Sequence, residues 1–483
     1  MKLCDILNGI RVLSATVPMD LEISGIAYDS RQVEPGQLFV AVSGFAVDGH
    51  RFIPMALEKG AAVVLCEQIP DGEAPYIQVE NTRLALALAS ANFFGNPAKK
   101  MKFIGVTGTN GKTTVTYLLK AVLEQTLGAK VGLVGTIQNM IGDQVIETER
   151  TTPESYELQK LFYEMARAGC THVVMEVSSH ALVLDRVAGI HFDVGMFTNL
   201  TQDHLDFHKT MEEYRKAKAM LFRMCDVGVF NLDDPASEKI MAEATCQLLT
   251  YGQMHQADLM AEQVQLHADR VEFLARYGTE TSRARLGIPG GFTVYNALCV
   301  LGAALALEIS LDDAVKALAS AHGVKGRVEV VPTPGMPYTV LIDYAHTPDS
   351  LENVLRSVRG FCKGRLISVF GCGGDRDNTK RPIMGQIGAS LSDIAVITSD
   401  NPRTEDPNEI IRQILAGIPD PSNCVVEENR RKAIRLAMAL AKQDDIIVLC
   451  GKGHETYQVL GTEKTHLDER EEVAQALQEQ KGR

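Results

Sequence analysis

The sequence lacks the features that mark a membrane, an exported or a nucleic-acid-binding protein. Its 483 residues contain no stretch approaching the roughly 18 apolar residues of a membrane-spanning helix. The amino terminus, MKLCDILNGI, carries Asp5 and no long apolar run, so we predict no signal peptide. The ten cysteines form no CxxC pair, which favours a reducing compartment, the cytoplasm, over a disulfide framework or a zinc ribbon. The net charge of -13 argues against nucleic acid or an anionic membrane as the main partner, although a single pocket can still bind phosphate.

The remaining composition is that of a globular protein with several domains. Hydrophobic residues make up 45% and charged residues 23% of the chain, and its length suggests two to four domains. The Gly-Asn-Pro of FFGNPAKK (93–100) breaks an Ala/Leu-rich helical pattern and predicts one boundary. The segment AHGVKGRVEVV (321–331) follows further Ala/Leu-rich helices and predicts a second boundary. The predicted domains are therefore residues 1–98, 99–325 and 326–483.

The third segment contains four short apolar runs, each followed by a polar loop. They lie in TVLIDYAHTPDS, RLISVFGCGGDRD, IAVITSDNPRTED and IIVLCGKGHE, and the first three loops lead into helical patterns. Apolar strands that alternate with helices predict an α/β fold with a parallel, doubly wound sheet. Loops at the carboxyl ends of such strands meet at one edge, where ligands bind. We therefore expect four loops to face one crevice: Asp343–Thr347, Gly371–Asp377, Asp400–Asp406 and Gly451–Glu455.

One arginine in these loops is of particular interest. In TSDNPRTEDP (398–407), Asp406 and Pro407 have the pattern of a helix N-cap and first residue, so Arg403 lies in the loop before a helix. Taken alone, Arg403 could be a solvated charge paired with a neighbouring acid, Glu405 or Asp406. With Arg376 and Glu455 in sister loops, it indicates instead a ligand that carries carboxylate and ammonium groups, such as an amino acid.

The segment GVTGTNGKTT (105–114) predicts a phosphate-binding loop. A glycine-rich turn between a strand and a helix presents backbone N–H groups to phosphates. Lys112 can bridge the β- and γ-phosphates, and the Thr113 hydroxyl can hold Mg²⁺. The strict GxxxxGK[ST] pattern fails at one position, because Val106 stands where its first glycine would be, and Gly108 supplies flexibility two residues later.

Candidate metal ligands follow two further apolar runs. Glu176 ends the run in VVMEVSSHAL, and in FTNLTQDHLDFH the residues His204 and His208 are spaced i, i+4, as two ligands on a helix would be. Alternatively, His204 and Asp206 cap a helix and His208 is exposed. We favour this alternative for His208, because neither a cysteine nor a third histidine completes a zinc set and Mg²⁺ prefers oxygen ligands.

Two lysines in YRKAKAMLF, Lys216 and Lys218, have the spacing of solvated helix charges. From spacing alone, we interpret both in that way.

Together, these motifs resemble the Mur ligase family, and the resemblance covers nearly the whole chain in the family's order. The motifs are GVTGTNGKTT, MEVSSHAL…R, FTNLTQDHLDFH, YRKAK, GRVEVV, DYAHTPDSL, GCGGDRD…KRP, SDNPRTEDP and GKGHETYQ. The glycine-rich loop and GRVEVV are shared with folylpolyglutamate synthases. DNPR is typical of diaminopimelate-adding members, since lysine-adding members carry another residue at the position of Arg403.

The resemblance implies a three-domain ligase of peptidoglycan precursor synthesis. A small N-terminal α/β domain would bind a UDP-sugar, a central P-loop-type ATPase domain with a mainly parallel sheet would bind ATP, and a Rossmann-like C-terminal domain would bind an amino acid. The enzyme would use ATP and Mg²⁺ to add meso-2,6-diaminopimelate to UDP-N-acetylmuramoyl-L-alanyl-D-glutamate through an acyl phosphate. It would act in the cytoplasm as a monomer on small-molecule substrates.

The resemblance also implies a role for each residue that matches a family motif. The UDP-muramoyl dipeptide would be held by Tyr28, Ser30, Thr151, Thr152, Ser178 and Arg186. ATP would be bound by Thr107, Gly108, Thr109, Asn110, Gly111, Lys112 and Thr113, and by Asn296, Arg327, Asp343 and His346. Mg²⁺ would be bound by Thr113, Glu176, His204 and Lys218, the last as a carbamate. Diaminopimelate would be bound by Arg376, Asp400, Asn401, Pro402, Arg403, Gly451 and Glu455. Lys112, Lys218 and His204 would be the catalytic residues.

At two positions the sequence departs from some family members. Those members carry Gln where this chain has Leu184 and Asn where it has Arg150. Side-chain contacts to the nucleotide-sugar substrate at these positions are therefore not transferred.

Two other functions are compatible with part of the sequence. A folylpolyglutamate synthase-like ligase shares the phosphate loop, but it gives no role to the N-terminal hundred residues that contain AYDSR. A P-loop ATPase switch without ligase activity would leave the C-terminal crevice without a function. Arg403 is the one residue that disfavours a lysine-adding ligase.

Overall fold

A computed structural model describes residues 1–44, 47–148, 150–321 and 323–481. They form two compact units, Met1–Leu259 with Cys299–Ser310, and Met260–Leu298 with Leu311–Arg483. Both units are α/β structures, which is the predicted class. His322, inside the predicted boundary segment 321–331, lies outside the described residues, as do the last two residues of the predicted third domain.

The first unit begins with a five-stranded sheet of order β1-β5-β4-β3-β2, in which only β1 is antiparallel to its neighbour. Its strands are β1 Val12–Ala15, β2 Ile26–Ala27, β3 Leu38–Val40, β4 Val63–Cys66 and β5 Tyr76–Val79. The accompanying helices are α1 Leu3–Ile6, α2 Ile53–Glu58 and α3 Thr82–Phe93. Helix α3 ends before Gly95 and Asn96, both with positive φ, so the Gly-Asn-Pro sequence terminates it as predicted.

The remainder of the first unit is a mainly parallel sheet of order β13-β12-β11-β6-β10-β7-β8-β9. Its strands are β6 Lys102–Thr107, β7 Val131–Val134, β8 Asn139–Ile141, β9 Gln144–Ile146, β10 His172–Glu176, β11 Phe192–Phe197, β12 Cys225–Asn231 and β13 Gln247–Gly252. Its helices are α4 Lys112–Leu127, α5 Ser155–Arg167, α6 Ser179–Val183, α7 Leu205–His208, α8 Met211–Ala219 and α9 Ala236–Glu243. The strand, loop and helix predicted around the phosphate motif are confirmed as β6 and α4.

The position of β6 explains how separate motifs reach one place. It lies between β10 and β11 and is parallel to both, with Val106 opposite Glu176 and Thr107 opposite Phe197. The carboxyl ends of these three strands therefore adjoin. They bring together the phosphate loop, the carboxylate of Glu176 and the segment that follows Phe197.

The second unit contains strands and helices from two parts of the chain. The first part comprises β14 Leu259–Leu266, β15 Val271–Tyr277, β16 Glu280–Leu286, α10 Gly291–Ala306, which begins in this unit, and α11 Leu311–Ser320. Strands β15 and β16 form an antiparallel hairpin against which α11 packs.

The rest of the second unit is the predicted doubly wound sheet, of order β17-β18-β22-β19-β20-β21. Its strands are β17 Glu329–Val331, β18 Thr339–Asp343, β19 Leu366–Phe370, β20 Ile394–Ile397, β21 Cys424–Val426 and β22 Ile446–Cys450, all parallel except β17. Helices α12 Pro348–Arg359, α13 Lys380–Leu391 and α14 Pro407–Leu415 contribute to the core on one face, and α15 Arg430–Leu440 and α16 Glu469–Lys481 to the core on the other. The fourth loop leads into a hairpin, β23 Tyr457–Leu460 and β24 Glu463–His466, instead of a helix.

The predicted start of α14 is confirmed. Asp406 is its N-cap and accepts a hydrogen bond from the backbone N of Asn408 at 2.9 Å, and Pro407 is its first residue. Of the helices in the described part of the chain, none has both the length and the apolar character needed to cross a bilayer.

Candidate active site

The phosphate loop depends on two glycines with positive φ. Gly108 has φ +148° and Gly111, the N-cap of α4, has φ +88°. A Cβ on Gly108 would contact the side chain of Thr198 and would lie 3.2 Å from the backbone N of Asn199, so the loop has no room for a side chain there. Val106, which breaks the strict sequence pattern, is a fully buried residue of β6. The loop conformation therefore requires Gly108 and Gly111, whereas the position of Val106 belongs to the strand and needs no glycine.

Two side chains of the loop have the partners expected of a nucleotide site. The Lys112 ammonium donates to the carbonyl oxygens of Gly108 and Thr109 at 2.9 and 2.8 Å, so it lies over the loop. The Thr113 hydroxyl donates to Oε1 of Glu176 at 2.9 Å. Glu176 is 1% exposed and Thr113 is also buried, so this hydrogen bond joins two candidate metal ligands in the interior.

Lys218 is buried, so its interpretation as a solvated helix charge is wrong. Its side chain is 1% exposed, and its Nζ donates to the carbonyl of Gly108 at 2.7 Å and lies 4.3 Å from the centre of the Tyr214 ring. Burial holds the pKa of this amine well below its ordinary value, and the nearby Lys112 ammonium lowers it further. Lys216 on the same helix is exposed and pairs with Glu213 at 3.0 Å, as predicted. The spacing of the two lysines does not show which of them is buried, because tertiary packing decides which face of α8 contacts the phosphate loop.

The two histidines do not lie on one helix face. His204 is the N-cap of the one-turn helix α7 with φ +53°, and its ring centre lies 4.9 Å from that of His180 and 6.1 Å from that of Tyr214. His208 is buried, which makes its predicted exposure wrong: α7 packs against α8, and the His208 ring lies over that of Tyr214 at 5.0 Å. His208 Nε2 is 2.8 Å from the hydroxyl of Ser179. The side chain of Asp206, the other predicted cap, lies outside what the structure describes.

The arrangement fits Mg²⁺ better than zinc. Within residues 1–44, 47–148, 150–321 and 323–481, no three His, Cys, Asp or Glu side chains are grouped to hold a metal. The paired oxygens of Thr113 and Glu176 suit Mg²⁺, which takes few protein ligands and completes its shell with water and substrate phosphates. Of the other two candidate ligands, the His204 ring centre lies 6.1 Å from that of Tyr214, and Lys218 Nζ lies 4.3 Å from the same ring centre.

A cavity of about 1020 Å³ lies in the first unit and contains Tyr28 and Ser30 in its wall. The Tyr28 hydroxyl donates to Glu157 at 2.9 Å. Burial and the adjacent Glu157 carboxylate raise the pKa of Tyr28, and burial also raises the pKa of Glu157. Ser30 is buried, and its hydroxyl is 3.5 Å from the sulfur of Met55.

The other residues predicted for the UDP-muramoyl dipeptide are linked to Glu176. The Thr152 hydroxyl donates to the backbone carbonyl of Glu176 at 2.8 Å and accepts from the backbone N of Ser178 at 3.2 Å. Arg186 donates to the carbonyl of Thr152 at 3.1 Å, and burial lowers its pKa. The hydroxyls of Thr151 and Thr136 are 3.0 Å apart, and Thr136 also donates to Glu176 at 3.0 Å.

Glu154 adds a feature that the sequence did not indicate. Its carboxylate lies 2.7 Å from Arg186, 3.0 Å from Arg150 and 3.8 Å from Arg83. Glu154, Arg150 and Arg83 line the 1020 Å³ cavity. One carboxylate among three guanidiniums makes this cluster locally positive, which suits an anionic group of a ligand, although the cavity lining as a whole has four basic and four acidic side chains.

The predicted edge in the second unit is formed by adjoining loops. The backbone N of Gly451 donates to the carbonyl of Asp343 at 3.0 Å, and that of Gly374 donates to the carbonyl of Asn401 at 2.9 Å. A Cβ on Gly373 would lie 3.0 Å from Arg403 Nη1 and 4.0 Å from Arg376 Cγ. The two predicted carboxylate-binding arginines therefore flank the same glycine.

Arg403 is fixed by backbone contacts. Its φ is +52°, its N donates to the carbonyl of Val459 at 3.1 Å, and its carbonyl accepts from the N of Gly461 at 2.8 Å. Its Nη1 donates to the carbonyl of Gly374 at 2.7 Å.

The alternative partners proposed for Arg403 are engaged elsewhere. Glu405 pairs with the fully buried Arg381 at 2.8 Å, and Asp406 caps α14. The interpretation of Arg403 as a surface ion pair with these acids is therefore wrong.

Two predicted ATP residues of the second unit, Arg327 and His346, lie beside the ring of Tyr344. Arg327 lies 5.8 Å from the ring centre of Tyr344, and His346 and His454 lie 4.6 and 4.9 Å from it. Asp343 is buried, which raises its pKa, and its carboxylate accepts from the backbone N of Val328 and Ala345, both at 2.9 Å. Asn296 is 5% exposed on α10.

Comparison with known proteins identifies the family of the chain. Three family models match in order: Mur ligase family, catalytic domain, at residues 22–94; Mur ligase middle domain at 106–304; and Mur ligase, glutamate ligase domain, at 326–453. The chain belongs to the Mur ligase family. Its architecture is therefore that of the three Mur ligase domains, as the sequence predicted.

Several Mur ligases resemble the chain over nearly its whole length. It is 50% identical over 482 residues to UDP-N-acetylmuramoyl-L-alanyl-D-glutamate--2,6-diaminopimelate ligase 1 of Clostridium acetobutylicum, covering 99% of this chain and 100% of that one. It is 51% identical over 464 residues to the ligase of that name from Clostridium botulinum, covering 95% of this chain and 96% of the relative. A solved structure named for a UDP-N-acetylmuramoyl-L-alanyl-D-glutamate--2,6-diaminopimelate ligase superposes with a TM-score of 0.76 at 30% identity, covering 100% and 99% of the two chains.

Four residues that contact the candidate site residues were missed in the sequence. Tyr214 contacts His204 and Lys218, Glu154 holds the arginines, Arg381 holds Glu405, and Lys452 lies behind Glu455. Tyr214, Arg381 and Lys452 fall inside the motifs YRKAK, GCGGDRD…KRP and GKGHETYQ, whereas Glu154 lies outside every motif given above.

The arginine cluster generates a stability prediction. Glu154→Gln leaves the partly buried Arg186, whose side chain is 13% exposed, without its countercharge, so we expect the free energy of unfolding to fall by about 3 kcal/mol. The matched control is Glu213→Gln, which breaks the exposed pair with Lys216 and should cost less than about 1 kcal/mol. Denaturant unfolding of the three proteins decides the matter, and equal effects of the two substitutions would contradict the importance of the cluster.

Proposed function

We propose that this Mur ligase joins meso-2,6-diaminopimelate to the D-glutamyl carboxylate of UDP-N-acetylmuramoyl-L-alanyl-D-glutamate in an ATP-dependent step of peptidoglycan precursor synthesis. The names of relatives about 50% identical over nearly the whole chain support this activity. The observation that carries the proposal is Arg403, fixed by backbone bonds beside Arg376 in a loop of sequence DNPR. Diaminopimelate is lysine with an extra carboxylate, which a guanidinium binds through two parallel hydrogen bonds.

The reaction has two chemical steps. The D-glutamyl carboxylate attacks the γ-phosphorus of ATP, which releases ADP and leaves an acyl phosphate. The free amine of diaminopimelate then attacks the acyl carbon, and the tetrahedral intermediate expels phosphate to form the amide. Both steps gather negative charge near the phosphate loop, so catalysis requires positioned cations and N–H donors.

Residues of the loop provide most of this stabilisation. The backbone of Thr107–Thr113 would bind the phosphates, and the Lys112 ammonium would move from the loop carbonyls to the phosphate oxygens. Mg²⁺ held by Thr113, Glu176, His204 and a Lys218 carbamate would supply further positive charge against the γ-phosphate. Asn296, Arg327, Asp343 and His346 would contact the rest of the nucleotide.

The 1020 Å³ cavity is the proposed binding place of the UDP-muramoyl dipeptide. Its volume is at the upper end of ordinary ligand cavities, as suits a nucleotide-sugar peptide. Tyr28 and Ser30 would contact this substrate at the cavity. Thr151, Thr152, Ser178 and Arg186 would direct its D-glutamyl end towards Glu176 and the phosphate loop.

The amino acid would bind at the sheet edge of the second unit. Arg403 and Arg376 would hold the distal carboxylate, and Glu455 would meet an ammonium group. Asp400, Asn401, Pro402 and Gly451 would complete the site.

Carbamylation of Lys218 is part of the proposal. Reaction of an amine with CO₂ requires the neutral form, which the burial of Lys218 favours. The product would be an anionic oxygen ligand next to the loop carbonyl that the amine now contacts.

Further parts of the proposal concern domains, location and assembly. We retain the predicted domain bounds 1–98, 99–325 and 326–483, and a monomeric enzyme. The cytoplasm is the proposed compartment, and the ten free cysteines are consistent with its reducing conditions. A folylpolyglutamate synthase-like ligase or an ATPase switch gives no use to the N-terminal cavity, which disfavours both.

The first test concerns Arg403. Wild-type enzyme should strongly prefer diaminopimelate to lysine, and Arg403→Ala should lose roughly two to three and a half decades of kcat/KM for diaminopimelate, the equivalent of about 3–5 kcal/mol, without becoming a good lysine enzyme. Arg403→Asn removes the guanidinium without straining the backbone, because Asn tolerates positive φ. This variant therefore distinguishes loss of the guanidinium from strain that alanine would introduce. Kinetics with both amino acids are the measurement. Equal use of lysine by wild type, or an unchanged preference in both variants, would remove Arg403 as the selecting residue.

The second test concerns the phosphate loop. Lys112→Ala should reduce kcat by at least about 10²–10³-fold, because its ammonium stabilises charge that develops in the transition state. The control is Lys130→Ala, whose ammonium likewise donates to a backbone carbonyl, that of Ala168 at 2.9 Å, but is exposed. Phosphate release in the presence of all three substrates reports the rate. Near-normal turnover of the Lys112 variant would refute the assignment.

The third test concerns the carbamate. Lys218→Ala should be nearly inactive, and short carboxylic acids should partly restore it by replacing the carbamate. Lys216→Ala on the same helix should keep wild-type activity. Wild-type turnover by Lys218→Ala would rule the carbamate out of the mechanism.

A further inference from the structure

Lys452 is a fully buried lysine next to the proposed amino-acid site. It follows β22 and lies between Gly451 and Gly453, whose φ angles are +112° and +54°. A Cβ on Gly453 would approach Tyr344 to 2.6 Å, so this turn is closely packed. The side chain of Lys452 is 0% exposed, so its ammonium cannot contact a substrate directly.

The Lys452 ammonium instead contacts three of the residues proposed to bind diaminopimelate. Its Nζ is 2.5 Å from Asn401 Oδ1, 3.1 Å from Glu455 Oε2 and 3.8 Å from Asp400 Oδ1. Two carboxylates and an amide oxygen thus converge on one cation. Without the Lys452 ammonium, the carboxylates of Asp400 and Glu455 would lie close together in a largely buried region. An unpaired charge in such a place lowers the stability of the fold.

The neighbouring buried arginine does not replace this charge. Arg430 lies 4.0 Å from Asp400, but it forms two short contacts with the fully buried Glu469, at 2.9 and 2.7 Å. Its charge is therefore matched by Glu469, which leaves Lys452 as the cation beside Glu455.

The contacts also orient the groups that would meet the substrate. Asn401 Nδ2 donates to Glu455 Oε2 at 3.0 Å, and Asn401 Oδ1 accepts from the N of Val459 at 2.9 Å as well as from Lys452. In the described part of the chain, both side-chain hydrogen bonds of Glu455 fall on Oε2. The other oxygen, Oε1, accepts neither of these bonds, so it retains its capacity to accept from an ammonium group.

We propose that Lys452 is a positioning residue for the amino-acid substrate. It fixes the amide of Asn401 and the carboxylate of Glu455 so that Oε1 meets an ammonium group of an amino acid with two ammonium and two carboxylate groups. This inference rests on the proposed function and adds a residue that determines how that substrate is held.

The test is Lys452→Met, and the matched control is Lys464→Met. The Lys452 ammonium lies 5.6 Å from the Tyr457 ring centre, and the exposed Lys464 lies 4.5 Å from the same ring. Lys452→Met should raise KM for diaminopimelate by about 10- to 100-fold, because a charged hydrogen-bonding partner is lost. KM for ATP and for the UDP-muramoyl dipeptide should stay within about twofold, since neither is proposed to bind at this group. Lys464→Met should leave all three constants unchanged.

Several results of these experiments would contradict the role of Lys452. An unchanged KM for diaminopimelate, or an equal rise in all three constants, would overturn the proposal. Should the methionine variant fail to fold, Lys452→Gln, which keeps an amide NH2 donor but no charge, carries the same test. Loss of folding in both would also overturn it, because Lys452 would then be a stability residue. If wild type uses a different amino acid, the proposed substrate is wrong, and the same comparison with that amino acid still decides the role of Lys452.

Discussion

The buried carboxylate of Glu176 connects the parts of the first unit on which catalysis would depend. Its side chain accepts hydrogen bonds from Thr113 of the phosphate loop and from Thr136, while its backbone carbonyl accepts one from Thr152. A parallel sheet makes this possible, because β10 and β6 end side by side. A displacement of Glu176 would therefore disturb the nucleotide loop and the proposed dipeptide residues together.

Much of the fold could be predicted because its signals are local. Short apolar runs followed by polar loops marked the strands of the doubly wound sheet, and Asp406-Pro407 marked the start of α14. The phosphate loop was equally clear, since its glycines meet a backbone requirement that few other residues satisfy.

The unpredicted features depend on packing between distant segments. Lys218 and His208 looked exposed in sequence because burial of a short helix is decided by its neighbours, here the phosphate loop and α6. Glu154 gathers arginines from three separate segments, and no spacing rule links Arg83 to Arg186. The family resemblance assigned Lys218 a role, but it did not give the surroundings that depress its pKa.

The packing of Gly108 has a consequence for inhibitor resistance. Its left-handed φ and the contact of any Cβ with Thr198 each exclude a side chain, and Thr198 itself donates to the carbonyl of Asn110 at 2.7 Å. An inhibitor that binds the backbone of this loop would therefore contact a surface that no single substitution of Gly108 can reshape without disrupting the loop. Compounds that bind the backbone groups of Gly108 would therefore face no resistance from substitution of that residue.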